Sequence, residues 1–290
     1  MHPAPSLILF TVLSGAGFGL LVWLGLGLRA PTGLAAFVLF GLGYGLAGAG
    51  LLASVFHLGH PERALLAFTQ WRTSWLSREA VLASATLLVM APNAAASSFA
   101  ATPLPIFGWL GASLALATIL ATAMIYTQIR AVPRWHHWST PPVFLLAALA
   151  GGALLANRTG IATALLVALG LAMFAHWVMG DRQFARAGSS TGSATGLGAL
   201  GRTRLLEPPH SGQNYLLREM VHVVGRKHAF KLRLFALGLG AVLPALILLL
   251  PASYFTIATA LLMHLTGLLA QRWLFFAEAE HVLGLYYGKR

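Results

Sequence analysis

Hydrophobic positions along this chain come in long unbroken runs, without the two-residue alternation of a half-buried strand or the single apolar face of a soluble helix. Eight runs approach the roughly 20 residues that a membrane-crossing helix needs. They cover Ser6–Leu28, Thr32–Phe56, Ser77–Phe99, Ile106–Ile129, Val143–Ala156, Ile161–Met179, Leu234–Leu250 and Ala252–Phe275. The pattern predicts an all-α integral membrane protein, a bundle of eight transmembrane helices forming one domain over residues 1–290. The fifth run is short and can extend through Pro141 and Pro142. Pro92 falls within the third, where neighbouring helices accommodate it. A long linker, residues 181–233, separates the sixth and seventh runs.

Composition agrees. Of the 290 residues, 58% are hydrophobic and 9% charged, whereas a soluble domain carries about 25% charged residues. The net charge of +12 would suggest nucleic acid in a soluble protein. Here it points to topology and to anionic lipid or an acidic partner, and no nucleic acid is expected. The chain has no cysteine, so it cannot supply thiolates to an iron–sulfur cluster or zinc, nor form a disulfide. The first residues, Met1-His2-Pro3-Ala4-Pro5, carry no Lys or Arg, so the first run is expected to stay as a helix.

With eight crossings both termini share one side. That side receives 17 of the 19 basic residues, all but Arg29 and Arg158, and all seven acids. The positive-inside rule makes it, and both termini, cytoplasmic in a bacterial inner membrane. Glycines crowd the first two runs: Gly15, Gly17, Gly19, Gly25 and Gly27, then Gly41, Gly43, Gly45, Gly48 and Gly50. They signal close helix packing.

The linker changes character along its length. Gly188 to Gly198 is low-complexity, but Arg202 to Met220 mixes charged, aromatic and apolar residues, with Asn214 placed to cap a short helix. Two readings fit: a solvated basic linker on anionic lipid, or a docking strap for a cytoplasmic partner. For docking, Arg202, Arg204, His210, Tyr215 and Arg218 are the candidates, together with Arg63.

The densest chemistry is Phe56-His57-Leu58-Gly59-His60-Pro61-Glu62-Arg63, continuing to Trp71-Arg72-Thr73-Ser74-Trp75-Leu76-Ser77-Arg78-Glu79. Pro61 suits a first helical turn, Ala64–Trp71 reads as an interfacial amphipathic helix, and Ser77 as the N-cap of the third span with Glu79 in its first turn. The plain reading is an anchoring loop with Trp71 and Trp75 at head-group level. A sharper reading places His57, at the end of span two, beside Arg78 and Glu79 at the start of span three. A lipid-borne quinone needs such a place, with donors for its carbonyl oxygens and a proton route at the membrane edge.

A second cluster holds Tyr126, Arg130, Arg134, Trp135, His136, His137 and Trp138. Tyr126 and Arg130, four apart, would share a helix face and form a second wall of that pocket, or belong to an aromatic belt with snorkelling arginines. His176 and His264 lie within spans but at different depths, so one shared b-type haem is not expected. Near the C-terminus, Arg272, Glu278 and His281 are placed at the charged edge.

Together, His57-Leu58-Gly59-x-Pro61-x-Arg63-Ala64, the Leu76-Ser77-x-Glu79 start of span three, Pro133-x-Trp135 with Thr140-Pro141, and Arg272 resemble the membrane anchor subunit family of dimethyl sulfoxide reductase. The segments Trp71–Glu79, Leu205–Met220 and Arg272–Glu278 look like the branch that anchors cytoplasmic sulfite dehydrogenases. The resemblance implies eight transmembrane helices, a quinone (ubiquinone or menaquinone) and usually no haem. It implies two partners, a ferredoxin-like iron–sulfur subunit and a molybdopterin catalytic subunit. His57 and Glu79 match quinone-site positions of the family, and Trp71, Arg72, Arg78, Tyr126 and Arg130 complete the expected quinone-binding set. Gln271 departs from the Glu expected before Arg272. Two other functions compete: an anchor running the opposite way, from quinol to a dimethyl sulfoxide-like acceptor, and a secondary transporter, whose sites usually sit near the bilayer midplane.

Overall fold

The computed structural model describes all residues except 29, 57, 208–211, 213, 215–216, 218–227 and 289–290. Among the described residues every regular element is helical. Seven helices among those residues are long and apolar enough to cross a membrane: α1 (Pro5–Gly25), α2 (Gly33–Val55), α3 (Trp75–Phe99), α4 (Pro105–Thr127), α6 (Thr159–Arg186), α7 (Ala229–Ile247) and α8 (Tyr254–Ala277). Between α4 and α6 lies α5 (Thr140–Leu155), apolar but 16 residues long. It does begin before Val143, with Pro141 and Pro142 in its first turn, where a missing N–H costs nothing. α6 runs two turns past Met179. Its added residues include Asp181, whose charge is taken up by two arginines.

The first helix is the pillar of the bundle. Of its 21 residues 14 are buried, and it packs against α2, α4, α5 and α8. Contact is backbone to backbone: a Cβ on Gly19 would lie 1.9 Å from the Ala148 carbonyl oxygen of α5. The expected glycine packing splits in α2, where Gly43 and Gly50 press on α1 while Gly41, Gly45 and Gly48 face open space.

Helices α3 and α4 form an antiparallel pair with a polar seam. Buried Glu79, Ala83, Thr86, Met90, Asn93 and Ser97 recur at steps of four and three, the a/d spacing of a coiled coil. Thr122 donates to Glu79, Thr86 and Thr118 meet at 3.1 Å, and Asn93 accepts the Leu104 N–H at 2.8 Å.

Helix α7 is broken by a π-turn at Gly238–Val242. His264 of α8 donates from Nδ1 to the carbonyl of Gly240 at 2.6 Å, a carbonyl whose ordinary partner four residues on, Pro244, has no N–H to give. The backbones also touch there, since a Cβ on Gly267 would fall 2.0 Å from the Gly240 nitrogen. The Met1 ammonium donates to the Ala279 carbonyl at 2.8 Å, so the start of α1 and the end of α8 lie at one end of the bundle.

Local expectations need three corrections. Helix α3 starts at Trp75 rather than Ser77, so Ser77 is buried inside it and Glu79 belongs to its second turn. The interfacial segment is a 3-10 helix at Pro61–Phe68, with Leu65, Leu66 and Phe68 exposed. Helix α4 ends at Thr127, so Arg130 falls in the following turn and shares no helix face with Tyr126.

Candidate functional site

The polar group of greatest interest lies inside the charged end of the bundle, at the meeting of α3, α4, α5 and α8. Glu79 is 4% exposed and accepts a hydrogen bond from Thr122. Tyr126, one turn along the same face of α4, is within electrostatic range of both Glu79 and Arg272. Its ring is held by Trp135, Phe144, Phe275 and Phe276, with centroids 5.3 to 5.6 Å away. Trp135 is fixed in turn by its indole N–H on the Phe275 carbonyl at 2.8 Å.

Arg272 is the member whose depth the sequence misplaced. Instead of reaching the edge it is 2% exposed, with its guanidinium carbon 3.6 Å from the centroid of Phe144. The aromatic face compensates part of the cost of a buried cation. Its Nε and Nη1 have no hydrogen-bond partner among the described residues. Gln271 beside it is 1% exposed, with an unpartnered Oε1. A cavity of about 10 Å³ opens next to Arg272, lined also by Thr11, Ser14, Thr122 and Phe144.

The remaining candidates separate from this group. Arg78 turns away from Glu79 and donates to the carbonyls of Trp71 (3.1 Å) and Arg72 (2.6 Å), with its guanidinium 4.4 Å from the Trp75 ring. It ties down the loop before α3. Trp71 is 54% exposed and Arg72 lies over it at 5.7 Å, both on the rim of the charged end. Arg130 is exposed, as are Arg63, Arg202 and Arg204. His57, His210, Tyr215 and Arg218 lie outside the described residues. Asn214 does accept the Leu217 N–H at 2.8 Å, but the rest of the expected short helix also lies outside them.

A second charged group occupies the same end. Asp181 of α6 bonds Arg134 at 2.6 Å and Arg233 of α7 at 2.6 Å; Glu278, just after α8, bonds Arg233 at 2.7 Å and Arg134 at 3.5 Å. Two arginines and two carboxylates thus clamp the α4–α5 connection, α6, α7 and the end of α8. Nearby, Ser139 links two histidines, at 2.7 Å from Nδ1 of His137 and 2.8 Å from Nδ1 of His176. The Ser139 N–H also points at Nδ1 of His137, making that nitrogen an acceptor. Partial burial, then Arg186, hold the proton affinity of His137 below the ordinary histidine value.

Neither Thr122 nor the interior position of Arg272 was anticipated. A signal did exist for Thr122: Thr118, Thr122 and Tyr126 recur every fourth residue along one face of α4. Arg272 sits among apolar neighbours close to a charged terminus, and nothing in that pattern separates an inward arginine from a snorkelling one.

An apolar helical bundle with most of its charged groups at one end is the architecture of a multi-pass membrane protein. Residues 1–175 match the family described as DMSO reductase anchor subunit (DmsC), and the chain belongs to that family. Over 99% of its own length and 99% of the relative's, it is 34% identical to a sulfite dehydrogenase subunit of Allochromatium vinosum. That similarity extends past the family match, through α7 and α8. No solved structure gives a significant match.

Proposed function

We propose that this chain is the quinone-reactive anchor of a molybdenum-dependent sulfite-oxidising complex. The bundle crosses the membrane eight times with both termini and the charged face in the cytoplasm. α5 makes the short eighth crossing, and the Met1–Ala279 contact supports an even number of passes. Catalytic and iron–sulfur subunits dock on the cytoplasmic face, at Arg63 and the 181–233 linker.

The observation that carries the reading is Glu79, a buried carboxyl bonded to Thr122 at the charged end of an anchor-family bundle. The residues suit a quinone site. A carboxyl can exchange a proton, Arg272 and Tyr126 set the local field, and exposed Leu65, Leu66, Phe68 and Trp71 offer an apolar rim for a lipid-borne ring. Bound there, a quinone supplies a two-electron, two-proton acceptor. Glu79 and His57 hold and pass the protons, Thr122 orients the Glu79 carboxyl, and the aromatic group around Tyr126 excludes bulk water from behind it. Trp71, Arg72 and Arg78 shape the rim.

The test uses the purified complex with sulfite as donor. Glu79→Gln and His57→Ala are expected to lose quinone-linked turnover while keeping turnover with an artificial acceptor that bypasses the membrane anchor. Wild-type quinone rates in both variants would defeat the assignment. Net electron flow from quinol to an oxidised sulfur compound, with no sulfite oxidation, would favour the reversed anchor.

A further inference from the structure

The cavity beside Arg272 has a donor–acceptor pattern that selects its occupant. Ser14 already gives its hydroxyl hydrogen to the Phe10 carbonyl at 2.6 Å, and Thr11 gives its own to the carbonyls of Leu7 (3.0 Å) and Ile8 (3.1 Å). Thr122 gives its hydrogen to Glu79 and the Thr118 carbonyl. All three residues line the cavity, and a hydroxyl whose hydrogen is already engaged can only accept there. Arg272 lines the same cavity as a donor, a side chain 2% exposed whose Nε and Nη1 have no partner among the described residues.

An anion would meet three oxygens whose hydrogens point elsewhere, and a cation would meet the guanidinium. A molecule that accepts on one side and donates on the other fits both. The volume, about 10 Å³, is on the scale of the single probe sphere that one water requires.

We propose that this cavity holds one structural water, accepting from Arg272 and donating to Thr122, which joins Arg272, water, Thr122 and Glu79 into one hydrogen-bonded chain from α8 to α3. Every hydrogen in the chain points toward Glu79. Its Oε1 is thereby held as an acceptor, and Oε2 stays out of the chain. Arg272 becomes a positioning residue that acts on Glu79 through the water and Thr122. Ser14 and Thr11 are the alternative acceptors for the water's second hydrogen, so α1 closes the site. The significance for proton exchange rests on the quinone reading above; the water itself does not.

A density map of the wild-type complex that resolves ordered water should show a peak within hydrogen-bond reach of both Arg272 and Thr122; a peak reaching Ser14 or Thr11 but not Thr122 would break the chain. Direct pairing of Arg272 with Glu79, or a gap without density, would overturn the proposal. Redox-difference infrared spectra give a second readout. The carboxyl band assigned to Glu79 by its loss in Glu79→Gln should shift in Thr122→Val and in Arg272→Met, and less in Arg272→Lys. A wild-type water band sensitive to oxygen-18 water should vanish in Arg272→Met. A carboxyl band unmoved by Thr122→Val, or no oxygen-18-sensitive band, would also overturn the chain. Normal quinone turnover in Glu79→Gln would remove the functional reading and leave the water to be judged by the map alone.

Discussion

Two charged groups share one end of this bundle and are built on opposite terms. Arg134, Asp181, Arg233 and Glu278 form a closed set of two cations and two anions, each within 2.6 to 3.5 Å of a partner. Glu79 and Arg272 are at least as deeply buried, yet neither has a direct ion pair among the described residues. A buried charge is costly unless paired and hydrogen-bonded. The quartet meets that condition and reads as a clamp. Glu79 and Arg272 do not, and an ionisable group left this way inside a membrane protein is the starting point for a functional hypothesis, here the proposed quinone site.

The contrast can be broken by exchanging its terms. Removing Glu278 leaves two partly exposed arginines facing Asp181 alone, so Glu278→Ala should destabilise the folded protein by about 2–3 kcal/mol, the scale of hydrogen bonds lost to a charged group. Thermal denaturation of the solubilised complex would show it, while quinone turnover per folded complex stays near wild type. A fall in that turnover would merge the two groups. Glu79→Gln should do the converse: little change in heat resistance, but a loss of at least about 100-fold in quinone-linked rate, the usual scale of a positioned acid or base. Thr122→Val removes one hydrogen bond to a carboxyl and should lower the same rate by about 10-fold, corresponding to about 1.4 kcal/mol, measured against the artificial-acceptor rate.

The smallest effect belongs to the margin between the groups. His137 has its folded proton affinity lowered below the ordinary value. Its neutral form therefore favours the fold, and its contribution is full above the ordinary histidine range near pH 6.5. That contribution declines as pH falls and is gone below the lowered folded value. A shallow acid-side drop in melting temperature, absent in His137→Gln, is the expected result.

Much of this was legible because membrane helices write themselves as length and apolarity. The bounds of α1, α2 and α4 were met within about three residues, and Glu79 stood out as an acid in an apolar span. Partnership was not legible. Asp181 and Arg233 are separated by 52 positions and Ser139 and His176 by 37, and no local pattern encodes such pairs. Arg78 and Glu79, adjacent in sequence, point to opposite environments because neighbours on a helix are about 100° apart. Proximity along the chain suggested one pocket where the helix makes two surfaces.

The burial of α1 bears on how the protein is made. Of the helices described it is made earliest, yet the Ala148 carbonyl against which Gly19 fits belongs to a helix synthesised more than 100 residues later. In the interval, the close-packing face of α1, with Thr11 and Ser14, must be sheltered by lipid, by α2 or by an insertion factor. Assembly of this protein thus has a built-in waiting period, and a nascent chain halted before α5 would expose to the insertion machinery the surface that the finished bundle hides most completely.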